Sequence, residues 1–436
     1  MRGAPNRAHP AYSYDRVETK LSANHDPGPC EVRRRLRLHE EQRTIANPSG
    51  LENAVAPCLG LSVKRRVLTI NCGSSSLKYA VFDVDENGEN ELARGNVNRI
   101  GDVVSDHAAA VRATLDDLAG HGLVPCDVVG HRVVYGGARR SMHAAIDAAM
   151  LADLAQLVRF APLHLPVEIR AIEALAQRWP DCPQIACFDT VFHRTLSEVA
   201  QRYPIPEALH EAGIRRYGFH GLSYEYVVTA VGARELGRAV IAHLGSGASM
   251  AAVVEGRSVD TTMGLTPAAG LVMATRTGDI DPGVLVYLVE QGYDARALGD
   301  LINQRAGLLG LSGTSADMRE LLARRGDDAR ARLALDVFVW NARKWIGAMT
   351  ATMGGLDTLV FCGGIGENAA AVRREIGLGL EHLGVHIDEE RNAQAAHDAI
   401  ISPDGHACVV RIVRTDEERM VARHSWRLAT RFVRAG

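Results

Sequence analysis

The pattern of apolar and polar positions changes character at Val67. Residues 1 to about 63 are rich in Arg, Pro, Asn and Glu and carry no apolar period. From Val67 on, short apolar runs follow in a repeating order. Residues 67–71 read as a strand, and residues 77–84 alternate as a half-buried strand does. Asp85-Glu86-Asn87-Gly88 is a hairpin signal leading into a third strand over 91–97. A helix is predicted over 107–118, then a buried strand over 127–135 that ends in Gly136-Gly137. Helices over 151–158 and 166–177 precede a strand over 184–188, which delivers Asp189, Thr190 and His193. The plan restarts at Ala239, roughly 170 residues later, with strands from 240 and over 257–262. A long helix over 327–353 stops at Gly354-Gly355, a common C-terminal signal. A strand over 358–362, the turn Gly363 to Asn368, a helix through Ile376 and a last helix from Thr415 complete the second half. Asp416, Glu417 and Glu418 stand in the first turn of that last helix, where carboxylates suit the dipole.

Composition narrows the class. With 436 residues the chain exceeds one ordinary core and fits two domains. Its 47% hydrophobic and 23% charged residues, with net charge -3, are those of a soluble globular protein and argue against a nucleic-acid binder. The eight cysteines form no CxxC pair and no zinc spacing, so reduced, inert thiols are expected. No apolar run approaches the ~20 residues of a membrane helix. These features read as a cytoplasmic protein. Residues 1–64 are expected to be a disordered or non-native extension, its run Arg33-Arg34-Arg35-Leu36-Arg37 solvated, with the native start near Val63.

The candidate chemistry lies in two Gly/Ser turns, Asn71-Cys72-Gly73-Ser74-Ser75-Ser76-Leu77-Lys78 and His243-Leu244-Gly245-Ser246-Gly247. Glycine lets backbone approach an anion, successive N–H groups line the concavity, and Ser and Lys add donors. Two copies, each continued by a strand and a second turn, suggest a duplicated domain gripping a polyphosphate. The chain lacks GxxxxGK[ST], the HRD and DFG pair, GxSxG and HExxH, and the Gly363 turn fails GxGxxG. Phosphoryl transfer needs a phosphate cradle, a divalent metal and cations on the moving group. Arg132 and Arg276 sit in apolar or Gly-turn contexts where an unpaired guanidinium is costly, yet either could simply pair a carboxylate. His220 and Asp189 are candidate reacting groups; a core histidine and a helix cap are the bland alternatives. Glu417 is either a metal ligand or an ordinary first-turn acid.

Ordered motifs turn these alternatives into one picture. Asn71 to Lys78, His131-Arg132-Val133-Val134, Ala161-Pro162-Leu163-His164, Phe188-Asp189-Thr190, Arg216-Tyr217-Gly218-Phe219-His220-Gly221, Asp260 to Pro267, Gly278 to Pro282 and Gly363 to Asn368 together resemble the acetate kinase family over about 67–427. The resemblance implies an α/β fold of duplicated actin-like ATPase (ribonuclease H-like) domains with an interdomain cleft. The domains would be 65–190, completed by 418–436, and 191–417. It implies ATP/ADP as co-substrate, Mg2+ or Mn2+ at Asn71 and Glu417, and Asp189, His220 and Arg276 as catalytic groups. Ser74, Ser76 and Lys78 would line the first phosphate turn, and His243, Leu244, Gly245, Ser246 and Gly247 the second. Asp317, Met318 and Arg319, with Gly364, Ile365, Gly366, Glu367 and Asn368, would surround the adenosine. Arg132 would bind the acetate carboxylate, and Val134, Leu163, Phe219 and Pro267 its methyl. Acetate and acetyl phosphate are then the small-molecule partners, a homodimer the assembly, and a phosphate acetyltransferase the pathway neighbour; no nucleic acid or membrane is expected.

The chain departs from the family pattern at Ser246 and Leu165, both usually Asn, at Tyr135, usually His, and at Leu222 and Tyr224 in the FHGTSH motif. Val134 favours acetate, although one methylene is discriminated by only about 1–3 kcal/mol. A kinase for propionate or another short acid is the near alternative, and a non-catalytic nucleotide-binding regulator the distant one.

Overall fold

The computed structural model describes residues 64–435 other than Ser74, Ser75 and His397, with side chains as far as Arg431. The extension expected over residues 1–63 therefore lies outside the described residues, as does Ser74 of the first phosphate turn.

Two mixed sheets repeat one plan. The first has the order β3-β2-β1-β4-β6-β5, from β1 (Arg65–Cys72), β2 (Ser76–Asp85), β3 (Gly88–Asn98), β4 (Val128–Val133), β5 (Ala144–Ala145) and β6 (Gln184–Phe188). The second has the order β11-β10-β7-β8-β9, from β7 (Arg238–Leu244), β8 (Ala248–Val254), β9 (Arg257–Thr261), β10 (Thr358–Cys362) and β11 (Val409–Ile412). In each, three antiparallel strands form a meander whose first strand then pairs in parallel with a later one. Each meander even shifts register between its middle and third strands, opposite Val81/Phe82 and opposite Ala252/Val253. A shared irregularity of this kind fits a duplicated unit, since bulges re-aim a strand and are kept as features.

β2 is more than the half-buried strand its alternation predicts. Leu77 and Val81 join a core with Val111 and Leu115 of the helix His107–Gly120 and with Leu175 of the helix Leu165–Arg178. Ala80, Phe82 and Val84 join a second core on the other face, with Met420, Val421 and Ala422 of the helix Glu417–Ala435. The C-terminal helix thus returns to the first sheet and covers it. Gly130 in β4 makes the close approach possible, because a Cβ there would meet Ser425 Oγ at 2.2 Å and Val421 at 2.6 Å.

Two local expectations shift. β4 ends at Val133, so Val134 and Tyr135 already belong to the following turn. The Gly363–Asn368 segment is a short helix rather than a turn, entered through Gly363 at φ +74° and followed by the helix Ala370–Gly377. The long helix runs from Ala329 to Met353, capped by Asp328 and stopped by Gly354 in the left-handed region, as the sequence predicts.

Candidate active site

The ends of β1, β4 and β6 and the start of the C-terminal helix bring four sequence-predicted residues into one network. Arg132, next to last in β4, donates from Nε to Asp189 Oδ1 at 3.1 Å and from Nη2 to Asp189 Oδ2 at 2.5 Å. Its Nη1 donates to Asn71 Oδ1 at 3.2 Å, and its Nε lies 3.3 Å from Glu417 Oε2. Asn71 in turn donates from Nδ2 to Glu417 Oε2 at 3.3 Å and to Glu418 Oε1 at 3.2 Å. Asp189 follows β6 directly and is fully buried. Burial raises its pKa, Arg132 pulls it back, Glu417 adds to the rise, and the net position is about 6. Burial also penalises Glu417, but Arg132, His243, Lys78 and the Asn71 amide together hold its carboxyl below the ordinary range. Lys78 pairs in register with Asn71 on β2 and projects to solvent. Ser76 opens β2, and its carbonyl accepts the Gly73 N–H at 2.8 Å, closing the first turn.

A second group faces these from the other half. Arg276 donates from Nη1 to the Pro267 carbonyl at 2.8 Å, and among the described residues no carboxylate pairs with it. Burial, and then the charge of Arg132, lower its pKa to about 10. A Cβ on Gly247 would lie 3.3 Å from His220 Nε2 and 3.4 Å from Arg276 Nη2, so both tips point at the second phosphate turn. The Ser246 carbonyl accepts the Ala274 N–H at 3.1 Å and ties that turn to the segment carrying Arg276.

His220 occupies the left-handed region at φ +58°, a costly conformation for a residue with a Cβ and one that collects at functional sites. Gly221 after it donates its N–H to the Asp189 carbonyl at 2.9 Å, and a Cβ there would come within 2.0 Å of that oxygen. Burial, then His243 and the two arginines, hold His220 well below its ordinary pKa, so its ring is neutral. Its Nδ1 lies 2.8 Å from Ser249 Oγ, which Tyr224 Oη also contacts. Run from Tyr224 to Ser249 to Nδ1, this chain leaves the proton on Nε2, aimed at Gly247. The His243 ring stacks on His220 at 4.3 Å and is held through Nδ1 by Ser223 Oγ at 2.8 Å.

A cavity of about 750 Å³ opens beside the second turn. Gly245, Ser246, Asp317, Met318, Arg319, Gly364, Ile365 and Asn368 line it, together with Ala274, Ala316, Leu322 and Ala369. Its size suits a nucleotide-sized ligand. Leu244 and Gly366 are buried behind this wall. Glu367 turns inward: its Oε1 accepts the Gly363 N–H at 3.0 Å and the Thr415 N–H at 3.3 Å, joining the short helix to the approach of Glu417.

The expected acyl pocket is partly assembled. Val134 and Phe219 are buried in one core cluster. Tyr135 fills the space beside them, edge-on to Tyr217 at 5.1 Å and tilted against Phe219 at 6.0 Å. Pro267 is buried and joined to Arg276 as described; Leu163 is half-buried in the segment before the helix Leu165–Arg178.

Some groups at the site carry no sequence signal of their own. His164, the last residue of Ala161-Pro162-Leu163-His164, is lowered to about 3 by burial and then by Arg276 and Arg132, which places it between the two arginines' fields. Glu168 is 2% exposed, and both its oxygens face the Val134 N–H at 3.2–3.3 Å. Burial raises its pKa to about 8.

Two sheets of one plan, arginines and carboxylates converging at the strand ends, and a nucleotide-sized cavity beside Gly245 and Ser246 define a phosphotransferase of the actin-like class. The Acetokinase family pattern matches residues 66–423. The acetate kinase of Clostridium botulinum (strain Kyoto / Type A2) is 41% identical over 391 residues, 82% of this chain and 98% of its own length. The crystal structure of Porphyromonas gingivalis acetate kinase superposes with TM-score 0.74 at 35% identity, covering 83% of this chain and 99% of its own. A propionate kinase from Francisella tularensis superposes equally well, with TM-score 0.74 at 33% identity and the same coverages. The chain belongs to the acetokinase family.

Proposed function

We propose that this protein moves the γ-phosphoryl group of ATP to the carboxylate of acetate, reversibly, forming acetyl phosphate and ADP. The observation that carries the reading is Arg276: a largely buried cation without a carboxylate, aimed with His220 at the second phosphate turn. A cation kept unpaired at a cost is poised for an anion that arrives with the substrate.

In this reading the cavity beside Gly245 and Ser246 takes the nucleotide, and the turn through Gly247 grips its phosphates. Arg276 and the Nε2–H of neutral His220 donate to the equatorial oxygens of the moving phosphoryl group. An arginine so placed is worth ~10³ to 10⁵ in rate. Arg132 spends three of its five N–H groups on Asp189 and Asn71 and keeps two for the acetate carboxylate. Asp189 fixes that fork and orients the attacking carboxylate. Val134, Phe219 and Pro267, with Leu163, form the wall against the methyl.

The donor set fits a magnesium ion. Glu417 presents an ionised carboxylate, as Mg2+ bound between one or two carboxylates and substrate phosphates requires. Asn71 directs its amide N–H to Glu417 and its oxygen to Arg132, so it orients the ligand carboxylate as arranged here. The ion, Mg2+ or Mn2+, would neutralise charge on the β- and γ-phosphates.

Several wider features follow from the same reading. We infer domains over 65–190 completed by 418–436, and over 191–417, supported by the two sheets and the returning C-terminal helix. A homodimer is supported by the helix Pro282–Glu290, which buries none of its residues and exposes Val286, Tyr287 and Val289. No helix among the described residues is long and apolar enough to cross a membrane. The cytoplasm, where ATP is available, is the proposed compartment, and a phosphate acetyltransferase would share acetyl phosphate.

Trapping of acyl phosphate with hydroxylamine, using acetate, propionate and butyrate in parallel, with and without Mg2+, tests this function. Acetyl hydroxamate that requires both ATP and Mg2+ is the expected result. A higher kcat/KM for propionate would move the assignment to the activity named for the Francisella relative, and no product from any acid would end the kinase reading.

A further inference from the structure

Outside the network of Asn71, Arg132, Asp189 and Glu417, three possible metal ligands meet where the start of β5 lies against two helices that follow site residues. His143 stands directly before β5; Glu225 lies in the helix Gly221–Val231, five residues after His220; His424 lies in the C-terminal helix, seven residues after Glu417. All three are half-buried, and their ligand atoms lie within 4.8 Å of one another. His424 Nε2 is 2.9 Å from Glu225 Oε2, and the rings of His143 and His424 are 4.1 Å apart. We propose that His143, Glu225 and His424 form a binding site for a zinc-class divalent ion, separate from the magnesium position at Glu417.

The donor chemistry selects the ion. Two imidazoles and one carboxylate, with water as a fourth ligand, match zinc's borderline-soft preference and tetrahedral habit. Mg2+ favours oxygen ligands and keeps much of its water, so this set discriminates against it. His143 and His424 can each turn one ring nitrogen to the cluster, beside a carboxylate oxygen of Glu225. Arg194 and Arg427 also face the cluster, acting on His143 and Glu225 respectively. Their charge weakens any cation held by Coulomb attraction alone and favours one that bonds directionally to imidazole.

Occupancy has a structural consequence. His143 Nδ1 accepts the Phe188 N–H at 3.0 Å, and a neutral imidazole has one lone pair. A metal on His143 must therefore take the ring from Phe188, the residue that precedes Asp189. The proposed ion and the peptide leading to Asp189 compete for the same group.

Equilibrium dialysis of the full-length, untagged, chelator-treated protein against Zn2+ in excess Mg2+ tests the proposal. The wild-type chain should hold one more zinc than either Glu225→Gln or His424→Gln, and Co2+ should give a visible tetrahedral absorption band that both variants lose. Glu225→Gln keeps an oxygen for His424 and should stay folded, so it carries the test if His424→Gln does not. Hydrogen exchange at the Phe188 amide should accelerate on zinc binding in the wild type. Equal zinc in wild type and Glu225→Gln, or none in the wild type with zinc in large excess, would overturn the site.

Discussion

Arg132 grips Asp189 through two parallel hydrogen bonds, at 3.1 and 2.5 Å, from the matching C-terminal ends of the neighbouring parallel strands β4 and β6. The pair is buried, and Arg132 also reaches Asn71 and Glu417, so one guanidinium organises three polar partners around the reacting centre. A lysine cannot reproduce that planar fork. Arg132→Lys should lower kcat/KM for acetate at least ~10²-fold while ADP affinity, read by calorimetry, stays near wild type. Acetate turnover within threefold of wild type would remove Arg132 from the acyl site.

Arg276 is the opposite case, a cation that pairs with no carboxylate among the described residues. In the proposed reading its value lies in catalysis, and its burial is a cost to stability. Arg276→Ala should lower kcat at least ~10²-fold while leaving the melting temperature equal to or above that of the wild type. A clear fall in melting temperature would reveal a structural partner for Arg276, and near-normal turnover would deny it the transition-state role.

Arg132 was conspicuous in the sequence because it stands in an apolar strand that runs into Gly136-Gly137, and Arg276 because it stands in the polar turn before Gly278, while the roles expected of them came only with the family motifs. Asn71, Lys78 and Glu417 were legible for the same reason: turn chemistry and helix-end chemistry are local. Ser249 was not, since its contact with His220 depends on the β7/β8 register that sets it opposite His243. The burial of both faces of β2 was also hidden, because the helix covering one face lies more than 300 residues away in sequence. Gly363 to Asn368 looked like a turn from its glycines, but after Gly363 absorbs the left-handed step the remaining residues coil into a helix.

Tyr224 stands at the far end of the polar chain to His220. Its hydroxyl contacts Ser249 Oγ, which in turn meets His220 Nδ1 at 2.8 Å, and in the proposed reading the chain donates toward the ring. Tyr224→Phe removes one neutral hydrogen bond worth about 1 kcal/mol. It should lower kcat about three- to tenfold with KM for acetate little changed. A shift confined to KM would place Tyr224 in the acyl pocket instead.

In the proposed reading Val134 faces the acyl methyl. It follows β4, is buried beside Phe219, and its N–H is held by Glu168. Val134→Ala should raise kcat/KM for propionate relative to acetate by about an order of magnitude. An unchanged ratio would count against this pocket.

Glu168 links the site to pH. It accepts the Val134 N–H inside the protein, and burial holds its pKa up near 8, against the pull of Arg132 and with a smaller push from Asp189. Its folded-state pKa thus lies above that of the unfolded chain. The folded state favours the protonated carboxyl, so this contribution to stability is present in full below about pH 4.5 and is lost as pH rises toward 8. Glu168→Gln keeps an oxygen for Val134 but cannot ionise. Its melting temperature should fall less steeply than that of the wild type between pH 5 and pH 9, so that the variant gains on the wild type toward the alkaline end. Parallel melting curves across that range would show that Glu168 carries its charge in the folded protein, balanced by Arg132, and would make it a third carboxylate of the arginine network.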